Sequence, residues 1–128
     1  MGRLIGADAK TVQADRAGHA RRFAAANRCT LLLKGARTVI ADQSGHLWVN
    51  PTGNPGMASG GMGDVLSGII GGLLAQGLSP AEAACLGAYL HGLAADRLAQ
   101  DGEIGLVASD LLAELRPALH ALRGVLDV

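Results

Sequence analysis

One acidic residue, Asp64, ends a glycine-rich stretch whose composition favours anion binding. The stretch NPTGNPGMASGGMGDVLSGIIGG, residues 50–72, is rich in glycine and turns apolar after Asp64. A helix is therefore predicted to begin near Gly63 or Asp64. The first amides of a helix have no partner within it and carry a partial positive charge. Glycines before them let the backbone approach a ligand, so residues 59–64 are predicted to bind an anion such as a phosphate.

A carboxylate beside an anion site is electrostatically unfavourable unless it acts on a group next to that anion. Asp64 would suit a base that takes the proton of a hydroxyl group while the hydroxyl oxygen attacks a phosphoryl group. The alternative is that Asp64 only caps the helix and that the glycines of GIIGG, residues 68–72, allow close packing. The loop is neither a Walker loop, since no GK[ST] follows, nor a GxGxxG dinucleotide motif.

The composition limits the class of protein. The chain has 128 residues, enough for one domain, and 49% of them are hydrophobic while only three are aromatic. Eleven basic and eleven acidic residues give no net charge, which argues against binding to nucleic acid or to an anionic membrane. Cys29 and Cys85 are predicted to be reduced and buried. The first ten residues lack the apolar core of a signal peptide, so a soluble cytoplasmic protein is predicted.

The elements around the loop follow from periodicity and turn residues. SPAE, residues 79–82, predicts a helix that opens with a capping box, since Ser79 precedes Pro80 and Glu82 stands three residues after it. A further helix is predicted from Ser109, with a kink or break at Pro117. The other predicted elements are a helix over 13–27, a buried strand over 30–33, hairpin arms over 38–41 and 47–50, and a loop helix ending near 76. Strands followed by helices predict an α/β fold.

Three longer segments resemble a known family. GGMGD with an apolar helix after it resembles the GxGD signature of ribokinase-like small-molecule kinases. LLLKGARTVIA, WVNPTGNPGMASGGMGDVLSGIIGGLLAQG and SPAEAACLGAYLHGLAADRLA together resemble the C-terminal half of the ADP-dependent NAD(P)H-hydrate dehydratases. The resemblance covers residues 3–122 and implies a ribokinase-like three-layer α/β fold. Residues 1–128 would then be a single partial domain without its N-terminal half, which would leave an unpaired sheet edge and an exposed apolar face.

The resemblance also implies an activity. Family members convert (6S)-NAD(P)H hydrate to NAD(P)H, using ADP as the phosphoryl donor and releasing AMP and phosphate; eukaryotic relatives use ATP. It implies Mg²⁺ with the donor phosphates and a homo-oligomer, while no acidic cluster in the sequence marks a metal site made by the protein. Two alternatives stay open: a ribokinase-like kinase of a vitamin precursor alcohol, and a non-catalytic remnant that binds nucleotide or a partner.

The family's functional residues carry over by position. Asp64 would be the catalytic acidic residue that contacts the hydrated nicotinamide. The amides of Gly61, Met62 and Gly63 would hold the transferred phosphoryl group. Gly63 would also border the nucleotide. The segment KGART would contact the AMP portion of the donor; its residues are Lys34, Gly35, Ala36, Arg37 and Thr38. Without the resemblance, Lys34 and Arg37 would be read as flanking a turn at Gly35.

Other polar residues are placed outside the site or at its margin. Thr52 and Asn54 are interpreted as residues that shape the loop. His91 is interpreted as a packed helix histidine rather than a catalyst. Asp96 and the remaining histidines, His19, His46 and His120, are left out because they lack metal-ligand spacing.

Overall fold

The computed structural model describes residues 1–126 and divides the chain into two compact units, Met1–Asn50 and a second unit that begins at Pro51. The first unit contains α1 Gly2–Ile5, α2 Ala9–Ala14, α3 Arg16–Asn27, β1 Leu31–Leu33, β2 Val39–Ala41 and β3 Leu47–Val49. The second contains a 3₁₀ turn Pro55–Met57, α4 Met62–Ala75, α5 Pro80–Leu98, a second 3₁₀ turn Ala99–Asp101, and α6 Ala108–Leu126. The predicted α/β class is confirmed, and the predicted elements occur in the predicted order, with the unpredicted helices α1 and α2 before them.

The sheet of the first unit has three antiparallel strands in the order β1-β2-β3. Ile40 lies opposite Leu32 on one side and Trp48 on the other. All three residues of β2 are buried, whereas β1 is only half-buried and not fully buried as predicted. The outer strand β3 exposes Trp48 and Val49, the second of which is 52% exposed. Successive side chains of a strand point to opposite faces of the sheet, so Trp48 and Val49 do not share one face, and the exposed apolar face expected from the sequence stays a prediction.

Helix α3 covers the sheet but begins later than predicted. Asp15 accepts a hydrogen bond from the Gly18 amide at 2.9 Å and so caps the helix, which separates α3 from the unpredicted helix α2. Ala20 and Ala24 are fully buried against Val39 and other sheet residues, as their helical spacing predicts. The small alanines let the helix lie close to the sheet.

The predicted hairpin is confirmed, with a turn organised by one carboxylate. Asp42 Oδ1 accepts hydrogen bonds from the amides of Ser44 at 2.9 Å and His46 at 3.0 Å. Gly45 has φ 88°, a backbone conformation that favours glycine. The turn residues picked out in the sequence therefore perform the role predicted for them.

The second unit is built on α5, which packs against both α4 and α6. Gly87 of α5 lies directly beneath Ile70 of α4, because a Cβ at Gly87 would come within 2.7 Å of Ile70 Cγ1. Met62 of α4 is 2% exposed and joins a buried cluster with α5 and α6; its other members are Ala94, Ala95, Leu111 and Ala118. The start of α4 is thus anchored in the core of this unit.

The capping box predicted for α5 is present in full. The Ser79 hydroxyl accepts from the Glu82 amide at 3.3 Å, and Glu82 Oε2 accepts from the Ser79 amide at 2.9 Å. Two hydrogen bonds from Ser79 hold the pKa of Glu82 below its ordinary value. The bond donated by the Ser79 hydroxyl has the larger effect, and the bond donated by the Ser79 amide has the smaller one. The ionised form of Glu82 therefore stabilises the folded chain.

This cap makes stability depend on pH in a defined direction. The pKa of Glu82 is lower in the folded than in the unfolded chain, so its contribution is complete above the unfolded pKa of about 4.3 and is lost as pH falls through the lower folded pKa. We expect Glu82→Gln to lower the free energy of unfolding at neutral pH, and the difference from wild type to shrink below about pH 4. Urea unfolding at both pH values measures this. Glu103→Gln, at an exposed glutamate, is the control, and a difference independent of pH would contradict the assignment.

The last helix differs from its prediction at two points. Its start is not capped by Ser109; instead Asp110 Oδ2 accepts from the Val107 amide at 3.0 Å, and Ala108 is the first helical residue. Of the kink or break predicted at Pro117, the break is absent, because the helix continues across this residue, and the kink stays a prediction. Arg97 of α5 forms an ion pair with Glu114, which joins α5 to this helix.

Two further sequence expectations concern cysteines and membrane segments. Cys29 and Cys85 are free thiols, but they are half-buried and not fully buried as predicted. Among residues 1–126, none of the helices combines the length and the apolar character that a membrane span needs.

Candidate phosphate and nucleotide site

The start of α4 presents two backbone amides ahead of its hydrogen-bond ladder. Gly61 is the N-cap residue, with φ 84° and ψ −12°. The first ladder bonds are donated by Asp64 and Val65, both to the Gly61 carbonyl at 3.1 Å. The amides of Met62 and Gly63 precede those bonds, so they point out of the helix start, where its partial positive charge is concentrated. This geometry is suited to an anion.

Gly61 is required for this arrangement on two counts. Its positive φ favours glycine, and a Cβ there would lie 3.1 Å from the Cβ of Ala108. By contrast, a Cβ added at Gly68, Gly71 or Gly72 would meet no atom within 4 Å. In the described part of the chain the GIIGG glycines therefore do not serve close packing, which removes one part of the alternative interpretation of the loop.

Asp64 is the third residue of α4 and its side chain caps nothing. The helix start has no side-chain cap hydrogen bond, and Asp64 is exposed. The alternative that Asp64 serves only as a helix cap is therefore wrong. An ionised carboxylate in the first turn of a helix is favoured by the helix dipole. Asp64 is thus held one residue after the two outward-facing amides, with its oxygens free to contact a ligand.

The loop before α4 is tied to α5 by Asp96. Its Oδ2 accepts from the Gly53 amide and its Oδ1 accepts from Asn54 Nδ2, each at 2.9 Å. Asn54 Oδ1 in turn accepts from the Gly56 amide at 3.0 Å, which starts the 3₁₀ turn. Asn54 therefore shapes the loop, as the sequence indicated, and Asp96 fixes it to the helix.

Thr52 provides a second attachment between the loop and α5. Its hydroxyl donates to the Tyr89 carbonyl at 2.9 Å. The backbone of Thr52 lies over Gly92, where a Cβ would come 2.6 Å from the Thr52 carbonyl carbon. The loop can lie this close to α5 only because residue 92 has no side chain.

Ser59, two residues before the helix cap, has a buried hydroxyl group. Among the described residues its Oγ has no hydrogen-bond partner. A buried hydroxyl without a partner usually costs about 1–3 kcal/mol. A ligand oxygen at the start of α4 would relieve that cost if it reached Ser59.

The KGART segment forms a turn in the first unit, directly after β1. Gly35 has φ 148° and Arg37 has φ 55°, the second a conformation that non-glycine residues seldom adopt. The Thr38 hydroxyl donates to the Gly35 carbonyl at 3.2 Å. The structure therefore brings Lys34 to Thr38 together in one turn with exposed Lys34, Ala36 and Arg37. Gly61 to Asp64 lie together in the second unit.

Two residues that hold these loops were missed in the sequence. Arg16 binds the turn after β1 through its guanidinium, and Asp96 binds the loop before α4. The sequence did contain an indication for Asp96, because it stands four residues after Gly92. Residues at this spacing share a face of a helix, so the Asp96 carboxylate lies beside a position on α5 that has no side chain. His91 is buried within α5, as its interpretation as a packed histidine predicts.

The described residues contain no group of three or more His, Cys, Asp or Glu side chains that could hold a metal ion. Any divalent cation that accompanies a nucleotide is commonly bound through the nucleotide's phosphates with few protein ligands. Asp64 is the acidic residue of the segment from Asn50 to Gly72, and it is exposed.

These features define a class of protein. A short sheet covered by α3 in the first unit, and a glycine loop that opens an apolar helix in the second, match parts of a ribokinase-like α/β domain. The solved structure of the ADP/ATP-dependent NAD(P)H-hydrate dehydratase from Bacillus subtilis, co-crystallised with ATP and Mg²⁺, superposes with a TM-score of 0.90 at 36% sequence identity. The match covers 94% of this chain and 44% of that structure.

The family model for NAD(P)H-hydrate dehydratase matches residues 1–117. The chain therefore belongs to the NAD(P)H-hydrate dehydratase family. The bifunctional NAD(P)H-hydrate repair enzyme of Moorella thermoacetica is 56% identical over 123 residues, covering 95% of this chain and 23% of the relative. The ADP-dependent (S)-NAD(P)H-hydrate dehydratase of Neisseria meningitidis is 46% identical over 121 residues, covering 94% and 40%. The chain thus spans less than half the length of these relatives.

Proposed function

We propose that this chain carries the phosphate-handling part of an ADP-dependent dehydratase that converts (6S)-NAD(P)H hydrate to NAD(P)H, with AMP and phosphate as the other products. One observation supports this most: two outward-facing amides at the start of α4 are followed by an exposed carboxylate that caps nothing. Membership of the dehydratase family supplies the substrate class.

The chemistry solves a leaving-group problem. Hydroxide leaves poorly from the hydrated nicotinamide ring, whereas phosphate leaves well. The ring hydroxyl oxygen attacks the terminal phosphorus of ADP, the bond from that phosphorus to AMP breaks, and the hydroxyl proton passes to Asp64. Phosphate then departs with the hydroxyl oxygen, the ring nitrogen supplies electrons, and loss of a neighbouring C–H proton restores the double bond.

Each predicted site residue has a role in this scheme. Asp64 contacts the substrate hydroxyl and acts as the base, while the amides of Gly61, Met62 and Gly63 hold the migrating phosphoryl group. Gly63 also borders the nucleotide. The turn from Lys34 to Thr38 binds the AMP portion of the donor. ADP is the proposed donor, with ATP as a substitute, and Mg²⁺ accompanies the donor phosphates.

The remaining parts of the proposal concern the whole protein. Residues 1–128 are proposed to be part of one ribokinase-like dehydratase domain that works in the cytoplasm as a homo-oligomer. The support is the coverage of less than half of the matched relatives. The described sheet also ends at β3, an unpaired edge strand that exposes Trp48 and Val49, and such edges are commonly covered by further structure.

A graft into the Neisseria meningitidis relative tests the activity. This chain replaces its 121-residue counterpart there, and the graft is given hydrated NADH, ADP and Mg²⁺. We expect NADH, AMP and phosphate to form together, with none formed when ADP is omitted. The unaltered relative is the positive control. A folded graft that forms no NADH contradicts the proposal, and accumulation of a stable phosphorylated alcohol would favour a kinase instead.

A further inference from the structure

Arg16, the first residue of α3, binds the backbone of the turn that follows β1. Its Nη1 donates to the Ala36 carbonyl at 2.7 Å, and its Nη2 donates to the carbonyls of Leu33 at 2.9 Å and Lys34 at 3.1 Å. Hydrogen bonds from a charged donor are worth more than neutral ones. One side chain therefore fixes three carbonyls within residues 33–36, the first at the end of β1 and the other two in the KGART turn.

The guanidinium also lies directly against Gly35. A Cβ at that position would come 2.7 Å from Arg16 Nη2, so any side chain there would displace the guanidinium. The Nε of Arg16 is buried and has no hydrogen-bond partner among the described residues. The group is thus enclosed by the turn that it supports.

The turn needs this support because its backbone is unusual. Arg37, with φ 55°, follows Ala36, whose carbonyl is held by Arg16. A non-glycine residue in this region is strained and persists only where its surroundings enforce it. Arg16 supplies that enforcement immediately before the strained residue.

The position of Arg16 is itself fixed by its neighbour. Asp15 caps α3 through the Gly18 amide, and Gly18 lacks the side chain that would collide with the Asp15 carboxylate. The cap sets where the helix begins and hence where the Arg16 side chain starts. The planar fork of arginine then reaches separate carbonyls, which the single ammonium of lysine cannot do in the same way.

We propose that Arg16 is a positioning residue for nucleotide binding: it holds the turn from Lys34 to Thr38 in the shape that receives the AMP portion of the donor. This rests on the proposed function, because the turn is assigned to the nucleotide there. Arg16 acts through the backbone of the turn, since both of its terminal guanidinium nitrogens, Nη1 and Nη2, donate to carbonyls of the protein.

The experiment compares Arg16→Lys and Arg16→Gln with wild type and with Arg21→Gln in the 128-residue chain. Arg21 lies on the same helix and is exposed, so its substitution changes the charge equally without touching the turn. Binding of AMP, and separately of inorganic phosphate, is measured by calorimetry at a temperature where circular dichroism shows each variant folded. Amide hydrogen exchange is recorded without ligand.

We expect the Kd for AMP to rise about tenfold in both Arg16 variants, as expected for the loss of one or two net hydrogen bonds. Exchange should accelerate at residues 35–38 and stay unchanged over 39–41. Phosphate binding should stay within twofold of wild type, as should every property of Arg21→Gln. A merely structural role would instead lower global stability and leave the AMP affinity of the folded variants intact.

The outcomes separate this inference from the function on which it rests. If wild type binds AMP and the folded Arg16 variants bind it within twofold, the inference is overturned and the function stands. If wild type binds neither AMP nor phosphate, the proposed function fails and the inference falls with it. If neither Arg16 variant folds, Arg16 is a support of the fold and the positioning role is overturned.

Discussion

We expect the replacement of Asp64 by Asn to lower the kcat of the Neisseria meningitidis graft by about 10²–10⁴-fold, the usual loss when a general base is removed. Asn keeps the size of the side chain but cannot accept the proton of the substrate hydroxyl. Because Asp64 is exposed and caps nothing, its loss should leave the fold intact. The rate of NADH formation, measured at saturating ADP, gives the effect directly.

Glu82→Gln is the matched control for that substitution. Glu82 is also the third residue of its helix, α5, but its carboxylate is engaged in a capping box. Glu82→Gln should lower the free energy of unfolding and leave kcat within about twofold. Asp64→Asn should lower kcat and leave the fold intact. A kcat for Asp64→Asn within a few-fold of wild type would show that Asp64 is not the base.

The second large effect is expected at Gly92. In Gly92→Ala the new Cβ would lie 2.6 Å from the Thr52 carbonyl carbon, so the loop must move away from α5 and the bond from Thr52 to the Tyr89 carbonyl is lost. Overpacking of this kind typically costs about 1–3 kcal/mol. We expect the free energy of unfolding in urea to fall by about that amount, even though alanine is intrinsically favoured over glycine in a helix.

Gly68→Ala on α4 provides the comparison, since a Cβ there meets nothing within 4 Å. That variant should gain about 0.5–1 kcal/mol from helix propensity alone. If Gly92→Ala lowers the free energy of unfolding while Gly68→Ala raises it, the destabilisation in Gly92→Ala arises from the contact with Thr52. If Gly92→Ala is as stable as wild type, the loop is not held by its approach to α5.

Local patterns predicted much of the fold because local interactions create those features. The capping box at Ser79 and the turn at Asp42 are formed by residues within four positions of one another, and both are present as predicted. The predictions of helix starts failed where another residue competed to cap the helix. Asp15 divides a continuous helical pattern by capping α3, and Asp110 takes the capping role that Ser109 was expected to fill.

In the candidate site, too, local features were predicted and long-range contacts were not. A glycine before an apolar helix predicted the outward-facing amides at the start of α4, since that geometry is local. The supports of the site were not predicted, because they join residues far apart in sequence: Asp96 bonds to Gly53, and Arg16 bonds to Ala36. Only the folded chain shows that these side chains hold the two loops.

An amide NMR titration of the 128-residue chain with inorganic phosphate, followed by ADP, tests most directly whether the start of α4 binds a phosphoryl group. We expect the Met62 and Gly63 amide resonances to shift most and to saturate with both ligands. We further expect the amides of the turn from Lys34 to Thr38 to respond to ADP and not to phosphate. If Met62 and Gly63 stay unshifted while other amides saturate, phosphate binds elsewhere and the start of α4 is not the phosphoryl site.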